Sequence, residues 1–169
     1  MIILLDTIAL WALVFEDSKY HEFVIKELEG KRAYILDIQL LELLRVIYRS
    51  FSQNGTDYDA GVNKMLEISE FIRMKGFSLK NIDLRYMSTE ADDFVGGVKI
   101  LNSERELFKR VGPRDTWWPE IVDAIIAYKW KSLNALLYTR DSALIAYGKK
   151  NDLQYKIIRA IQSDFMYRR

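Results

Sequence analysis

Four acidic residues occupy positions where an acid is costly. Asp6 closes the apolar run IILL, Glu42 lies within IQLLELLRV, Asp123 within PEIVDAIIAYKW, and Asp141 follows NALLYTR. A carboxylate buried without a partner is strongly destabilising or takes up a proton. Leu40, Leu41, Leu43 and Leu44 flank Glu42, so its helix is apolar on nearly all sides and is expected to be buried. Ile126, Ala127 and Trp130 share the helical face of Asp123. If the four acids converge on one cleft, they cannot all be ionised there without cations. The chain has no cysteine and a single histidine, so the ligand set is oxygen alone, which suits Mg²⁺ or Mn²⁺ and not zinc. Metal held this way binds phosphates, activates water and stabilises a leaving oxygen, which is the chemistry of phosphodiester hydrolysis. Thr7 and Thr139, each beside a candidate ligand, are placed to orient a carboxylate or water.

The elements that must bring these acids together show as alternating patterns. Apolar stretches read as buried strands: IILL before Asp6, AYIL before Asp37, FSLKNIDL over 77–84, NALLYT before Arg140, and a weaker YKII around Lys156. Helical patterns lie between them at roughly 8–29, 38–50, 59–75, 89–110, 119–132 and 142–150. Strands with no wet face, alternating with helices, predict an α/β fold in three layers, α/β/α, with a central, mostly parallel sheet. In such a sheet Asp6, Asp37 and Asp141 fall at or just past the carboxyl ends of strands, where ligand clefts form. Asp37 directly precedes a helical run and is expected to be its N-cap; Asp6 stands before one too, and both a cap and a metal-ligand reading are open for it. The segment VGPRDTWWPE carries the one strong breaker signal and is expected to be a loop, with helix resuming at Pro119.

Composition bounds the rest. The chain has 169 residues, half of them apolar, which is one domain's worth of core. Lacking cysteine, it has no disulfide scaffold, thiolate metal site or cysteine nucleophile. Twenty-five basic against 24 acidic residues leave a net charge of +1, so no global field points to nucleic acid, although local patches can still bind it. The apolar N-terminal run is too short to span a membrane and contains an acid, so a soluble, non-secreted, cytoplasmic protein is expected. His21, in EDSKYHEF, is expected on an exposed helix surface. No Walker A loop, GxGxxG turn or GxSxG elbow is present, and Gly96-Gly97 sits inside a helical pattern. Ile8 stands where a haloacid-dehalogenase-type phosphatase has its second aspartate, and Thr139-Arg140-Asp141 where a receiver domain has its lysine.

At ILLDTIAL, LLELLRV, VDAIIAYKW and LLYTRDSAL the chain resembles the PIN-domain family, most of all the VapC-type ribonuclease toxins of prokaryotic toxin–antitoxin pairs. The resemblance implies a single PIN-like nuclease domain over 1–169 that cleaves RNA with Mg²⁺ or Mn²⁺. Asp6, Glu42, Asp123 and Asp141 would be its metal-binding and catalytic acids, with Thr139 as the threonine of the last motif. It further implies a homodimer and a cognate antitoxin that blocks the cleft. The segment between Glu42 and Asp123 is longer than in compact toxins, VGPRDTWWPE lies outside the family pattern, and Leu144 stands where an aromatic often follows the last acid. Arg45, Arg49 and Arg140 are the candidate contacts to RNA phosphate. Trp117 and Trp118 are placed either to stack on an unpaired base or to pack against the core or a partner subunit. Two other functions remain open at this point: a PIN-like interaction module that no longer cleaves, and a PIN-type nuclease acting on DNA or in RNA processing.

Overall fold

The computed structural model describes residues 1–75, 81–112 and 116–161. In chain order the elements begin with β1 (Ile3–Leu5), α1 (Thr7–Val14), α2 (His21–Leu28), β2 (Arg32–Leu36) and α3 (Ile38–Phe51). Next come α4 (Tyr58–Lys75), β3 (Asp83–Met87), α5 (Ala91–Ser103), α6 (Arg105–Phe108), β4 (Lys109–Val111) and β5 (Trp117–Pro119). The chain continues through α7 (Ile121–Leu133), β6 (Leu136–Thr139), α8 (Ser142–Lys150) and β7 (Tyr155–Ile157).

Five strands form one parallel sheet in the order β3-β2-β1-β6-β7. Because side chains alternate across a strand, the two faces of β1 feed two cores. Ile3 and Leu5 pack with Leu10 and Leu13 of α1, Val24 of α2, Leu43 and Ile47 of α3 and Ile68 of α4. Leu4 points the other way, into Ile100, Phe108, Ile125, Ile126, Trp130 and Leu144 from α5 to α8. Helices thus cover both faces, giving the three layers, and each fully buried Leu or Ile contributes about 1.5 to 3 kcal/mol. From β1 the chain builds outward through β2 to β3, then crosses back and builds the other way through β6 to β7. The direction of winding therefore reverses between β1 and β6, and the crevice beyond their carboxyl ends is where such sheets bind ligands.

Gly96 and Gly97 serve packing. A Cβ on Gly96 would lie 2.3 Å from the Tyr128 ring and one on Gly97 2.7 Å from Ile125, so α5 approaches α7 closely only because both side chains are absent. The buried pair of Asp93 with Lys129, at 2.7 Å, ties the same two helices.

Several local expectations are corrected. The helix expected over 8–29 is two helices, because α1 closes at Phe15 and a turn follows in which the Ser18 amide donates to the Phe15 carbonyl. His21 is buried, not exposed: the break folds α2 back onto α1, and His21 Nδ1 donates to the Ala12 carbonyl at 2.8 Å. The helix expected over 89–110 ends as α5 and a single turn, α6, after which the chain turns into β4. Within VGPRDTWWPE, Val111 ends β4 and Trp117–Pro119 form β5, and the two strands pair antiparallel, Val111 opposite Trp117; residues 113–115 lie outside the described residues, and the helix begins at Ile121, not Pro119. The strand expected over 77–84 lies partly outside the described residues; its described part opens β3, which runs on to Met87. As an edge strand β3 is not buried throughout: the successive residues Arg85 and Tyr86, on opposite faces, are both exposed. The α3 helix also has one, since Leu41 is 71% exposed beside the half-buried Glu42.

Candidate active site

Beyond the carboxyl ends of β1 and β6 lies a cavity of about 490 Å³ lined by Asp6, Glu42, Asp123 and Asp141 together with Thr7, Trp11, Lys19, Tyr20, Arg110 and Glu120. Each acid arrives on a different element. Asp6 ends β1 and caps α1, its Oδ1 accepting from the Ala9 amide at 2.8 Å. Its other oxygen accepts from the Thr139 hydroxyl at 2.5 Å and the Arg140 amide at 3.3 Å, so strand β6 holds the carboxylate of strand β1. Asp141 caps α8 through Oδ1, which accepts from the amides of Ala143 at 2.7 Å and Leu144 at 3.0 Å, leaving Oδ2 turned to the cavity. Glu42 comes from α3 and accepts a hydrogen bond from the Thr7 hydroxyl. Asp123 comes from the first turn of α7. For Asp6 and Asp141 the cap geometry is what aims the carboxylate, so capping and a role in the cavity go together.

Burial dominates the electrostatics. It pushes Asp123 up to about 8, with Asp141, Glu42, Glu120 and Asp6 adding repulsion. Burial also raises Asp6 to about 6 against the opposing hydrogen bonds from Thr139, Ala9 and Arg140. Glu42 is raised by burial as well, with Thr7 opposing and Glu120 adding to the shift.

One side chain that the sequence did not single out stands among them. Arg110, from β4, places Nη2 2.6 Å from Asp141 Oδ2 and 3.6 Å from Asp123 Oδ2, with Nε 3.9 Å from Glu120 Oε1. Among the described residues no three acids are arranged to grip a single metal ion. In kind the donors fit a hard divalent cation, being carboxylates with hydroxyls behind them. In position Asp141, Asp123 and Glu120 hold a guanidinium. Glu120, in PEIVDAIIAYKW, and Lys19, in EDSKYHEF, also line the cavity, and nothing in their spacing or in that of Arg110 marks them as site residues.

The other candidates fall outside. Arg45 and Arg49 are exposed on α3 and do not line the cavity. Arg140 does not line it either: its guanidinium lies 5.1 Å from the ring centroid of Tyr20, a wall of the cavity, and Nη1 reaches the Ile158 carbonyl at 3.4 Å. Asp37 caps α3 by accepting from the Ile38 amide and also accepts from the Thr89 amide, away from the acids.

No family model and no curated protein matches the chain. Solved structures do. VapC20 of Mycobacterium tuberculosis, a Sarcin-Ricin loop cleaving toxin, superposes with a TM-score of 0.58 at 17% identity, over 86% of this chain and 95% of that one. The fold is PIN-like, of the VapC kind. VapBC2 of Rickettsia felis, bound to a DNA fragment from its promoter, gives the same VapC-like match with a TM-score of 0.58 at 15% identity, over 94% of this chain and 100% of that one. VapBC-1 of nontypeable Haemophilus influenzae follows with a TM-score of 0.52 at 20% identity, over 93% and 98% of the two chains. Among the described residues no helix of this VapC-like fold is long and apolar enough to cross a membrane.

Proposed function

We propose that this chain is a Mg²⁺- or Mn²⁺-dependent endoribonuclease, built as one nuclease domain over 1–169 and acting in the cytoplasm as the toxin of a toxin–antitoxin pair. The observation that carries this reading is the meeting of Asp6, Glu42, Asp123 and Asp141 in one cavity at the point where the sheet reverses its winding. Such a cluster is costly to the fold, and a chain with no use for it has no reason to keep it. These four acids would hold the metal, which when bound supplies an activated water and stabilises the leaving oxygen. The chain's own part is positioning. Thr139 and Thr7 fix the oxygens of Asp6 and Glu42, and the caps of α1 and α8 aim Asp6 and Asp141. Lys19 and Arg110 are the cations of the cavity, placed to meet phosphate oxygens. The VapBC structures among the matches support a protein antitoxin as the partner; a homodimer is the proposed form of the free toxin.

The ion pairs of Arg110 favour a second reading, an interaction module that no longer cleaves, in which the arginine has taken the place of the cation. Incubating purified protein with RNA and DNA oligonucleotides of one sequence, in Mn²⁺ or EDTA, decides between them. The nuclease cuts RNA only with metal, and loses cleavage in Asp6→Asn and Asp123→Asn while staying folded, because asparagine caps α1 as well as aspartate does. Cleavage retained by a clean Asp6→Asn preparation refutes the reading. Absence of Mn²⁺ binding at millimolar metal in calorimetry favours the module, and preferential cutting of DNA moves the substrate.

A further inference from the structure

A second concavity borders the β4–β5 ribbon. It measures about 320 Å³ and is lined by Phe108, Leu101, Trp117 and Trp118, with Arg105, Lys109 and Asn102 among its polar groups and no acid among the described residues. That volume is at the small end of the range of ligand pockets. The other two tryptophans of the chain behave differently: Trp130 is fully buried, and Trp11 packs on the Phe15 ring. Trp117 and Trp118 are instead 58% and 40% exposed, so packing against the chain's own core does not account for them.

Both rings are nonetheless held in place. The Lys109 ammonium lies 4.0 Å from the centroid of the Trp117 ring. Trp118 donates from Nε1 to Glu120 at 3.0 Å, and its ring lies over Gly112, where a Cβ would come within 2.1 Å of it. The result is a preformed aromatic surface beside two cations and an amide. Bases stack on such rings whatever their identity, cations pair with phosphates, and an amide can bond a base edge.

The groove and the acid cavity share one wall. Trp118 is the cross-strand partner of Arg110, and Glu120, which accepts from Trp118, lies 3.9 Å from Arg110 inside the cavity. We infer that the Trp117–Trp118 groove binds a nucleotide of single-stranded nucleic acid, flanking the phosphodiester presented to Asp6, Glu42, Asp123 and Asp141. Its role as a substrate subsite rests on the nuclease reading, but binding itself does not. Among the described residues the charged side chains of its lining, Arg105 and Lys109, are both cations, which favours a polyanion.

The test uses the full chain in EDTA, so that no cleavage occurs, and follows tryptophan fluorescence as single-stranded RNA or DNA of one sequence and about eight nucleotides is added. Binding quenches the fluorescence and weakens with salt. Trp117→Ala raises the dissociation constant by a factor of about 5 to 150, the range lost when a stacked base loses its platform, and Trp117→Phe recovers part of it. Arg105→Ala, at an exposed position that does not threaten the fold, flattens the salt dependence by about one counterion. Unchanged affinity in both Trp117→Ala and Arg105→Ala overturns the inference. So does a fall in the solution mass of the protein on Trp117→Ala without any change in oligonucleotide binding, which would make the groove a protein interface. Binding that depends on Trp117, together with no cleavage on adding Mn²⁺, upholds the groove and refutes the nuclease reading.

Discussion

Removing the charge of Arg110 should weaken the metal-free fold and tighten metal binding at the same time. In Arg110→Met the chain length is kept and the guanidinium is lost. The main contact is the hydrogen-bonded pair of Nη2 with Asp141 at 2.6 Å, between side chains 27% and 22% exposed; Asp123, which burial raises to about 8 and so keeps mostly protonated at neutral pH, lies farther off at 3.6 Å. A hydrogen bond between charged groups contributes about 1.5 to 3 kcal/mol, and partial exposure argues for the lower half of that range, about 2 kcal/mol. For a chain of this length that is a fall in melting temperature of about 4 to 8 °C in EDTA. A divalent ion that binds the acids of the wild type must first separate them from Arg110, whereas in the variant it does not. The same 2 kcal/mol then appears as Mn²⁺ binding tightened by about 30-fold. Calorimetric titration with Mn²⁺ and thermal melts of the same preparations supply both numbers. A variant that melts lower but binds Mn²⁺ no more tightly would refute the competition, and one altered in neither respect would show that Arg110 is not a counter-ion of the acids at all.

Asp123 and Asp6 are raised to about 8 and about 6, so the folded chain holds protons that the unfolded chain has released above about pH 4. The contribution of Asp123 to metal-free stability is therefore largest at the acid end and is lost as pH rises toward 8; Asp123→Asn should gain stability relative to wild type between about pH 5 and pH 9 in urea melts, and an equal pH slope in the two proteins would refute the burial argument. Asp37→Ala should cost about 1 kcal/mol, the worth of a helix cap, and leave the stabilisation by Mn²⁺ unchanged in thermal melts; a smaller metal effect would bring Asp37 into the site. Gln39, fully buried, accepts from the Leu36 amide at 2.8 Å and donates to the Leu5 carbonyl at 3.0 Å, so Gln39→Leu should cost about 2 kcal/mol in urea denaturation, and a neutral result would show that these backbone groups find other partners.

Periodicity and residue type alone determined the layered fold and the four acids. Alternating apolar strands and helices force a parallel sheet covered on both faces, and an acid at the end of IILL or after LLYTR must fall at that sheet's carboxyl edge, because strand direction is the same throughout. Those are local properties, readable one segment at a time. What tertiary structure decided is what faces the acids. Arg110 reaches Asp141 only because the chain after α6 turns into a ribbon and not a longer helix, and nothing in the spacing of KRVGP encodes which side of the ribbon meets the cavity. Arg45, Arg49 and Arg140 show the converse: closeness to an acid in sequence did not bring them into the cavity lining, since helix rotation points the first two outward and the Arg140 guanidinium reaches the Ile158 carbonyl. His21 became buried for the same kind of reason, because a break at residues 15 to 20 folds α2 onto α1, and where a chain doubles back is settled by long-range packing.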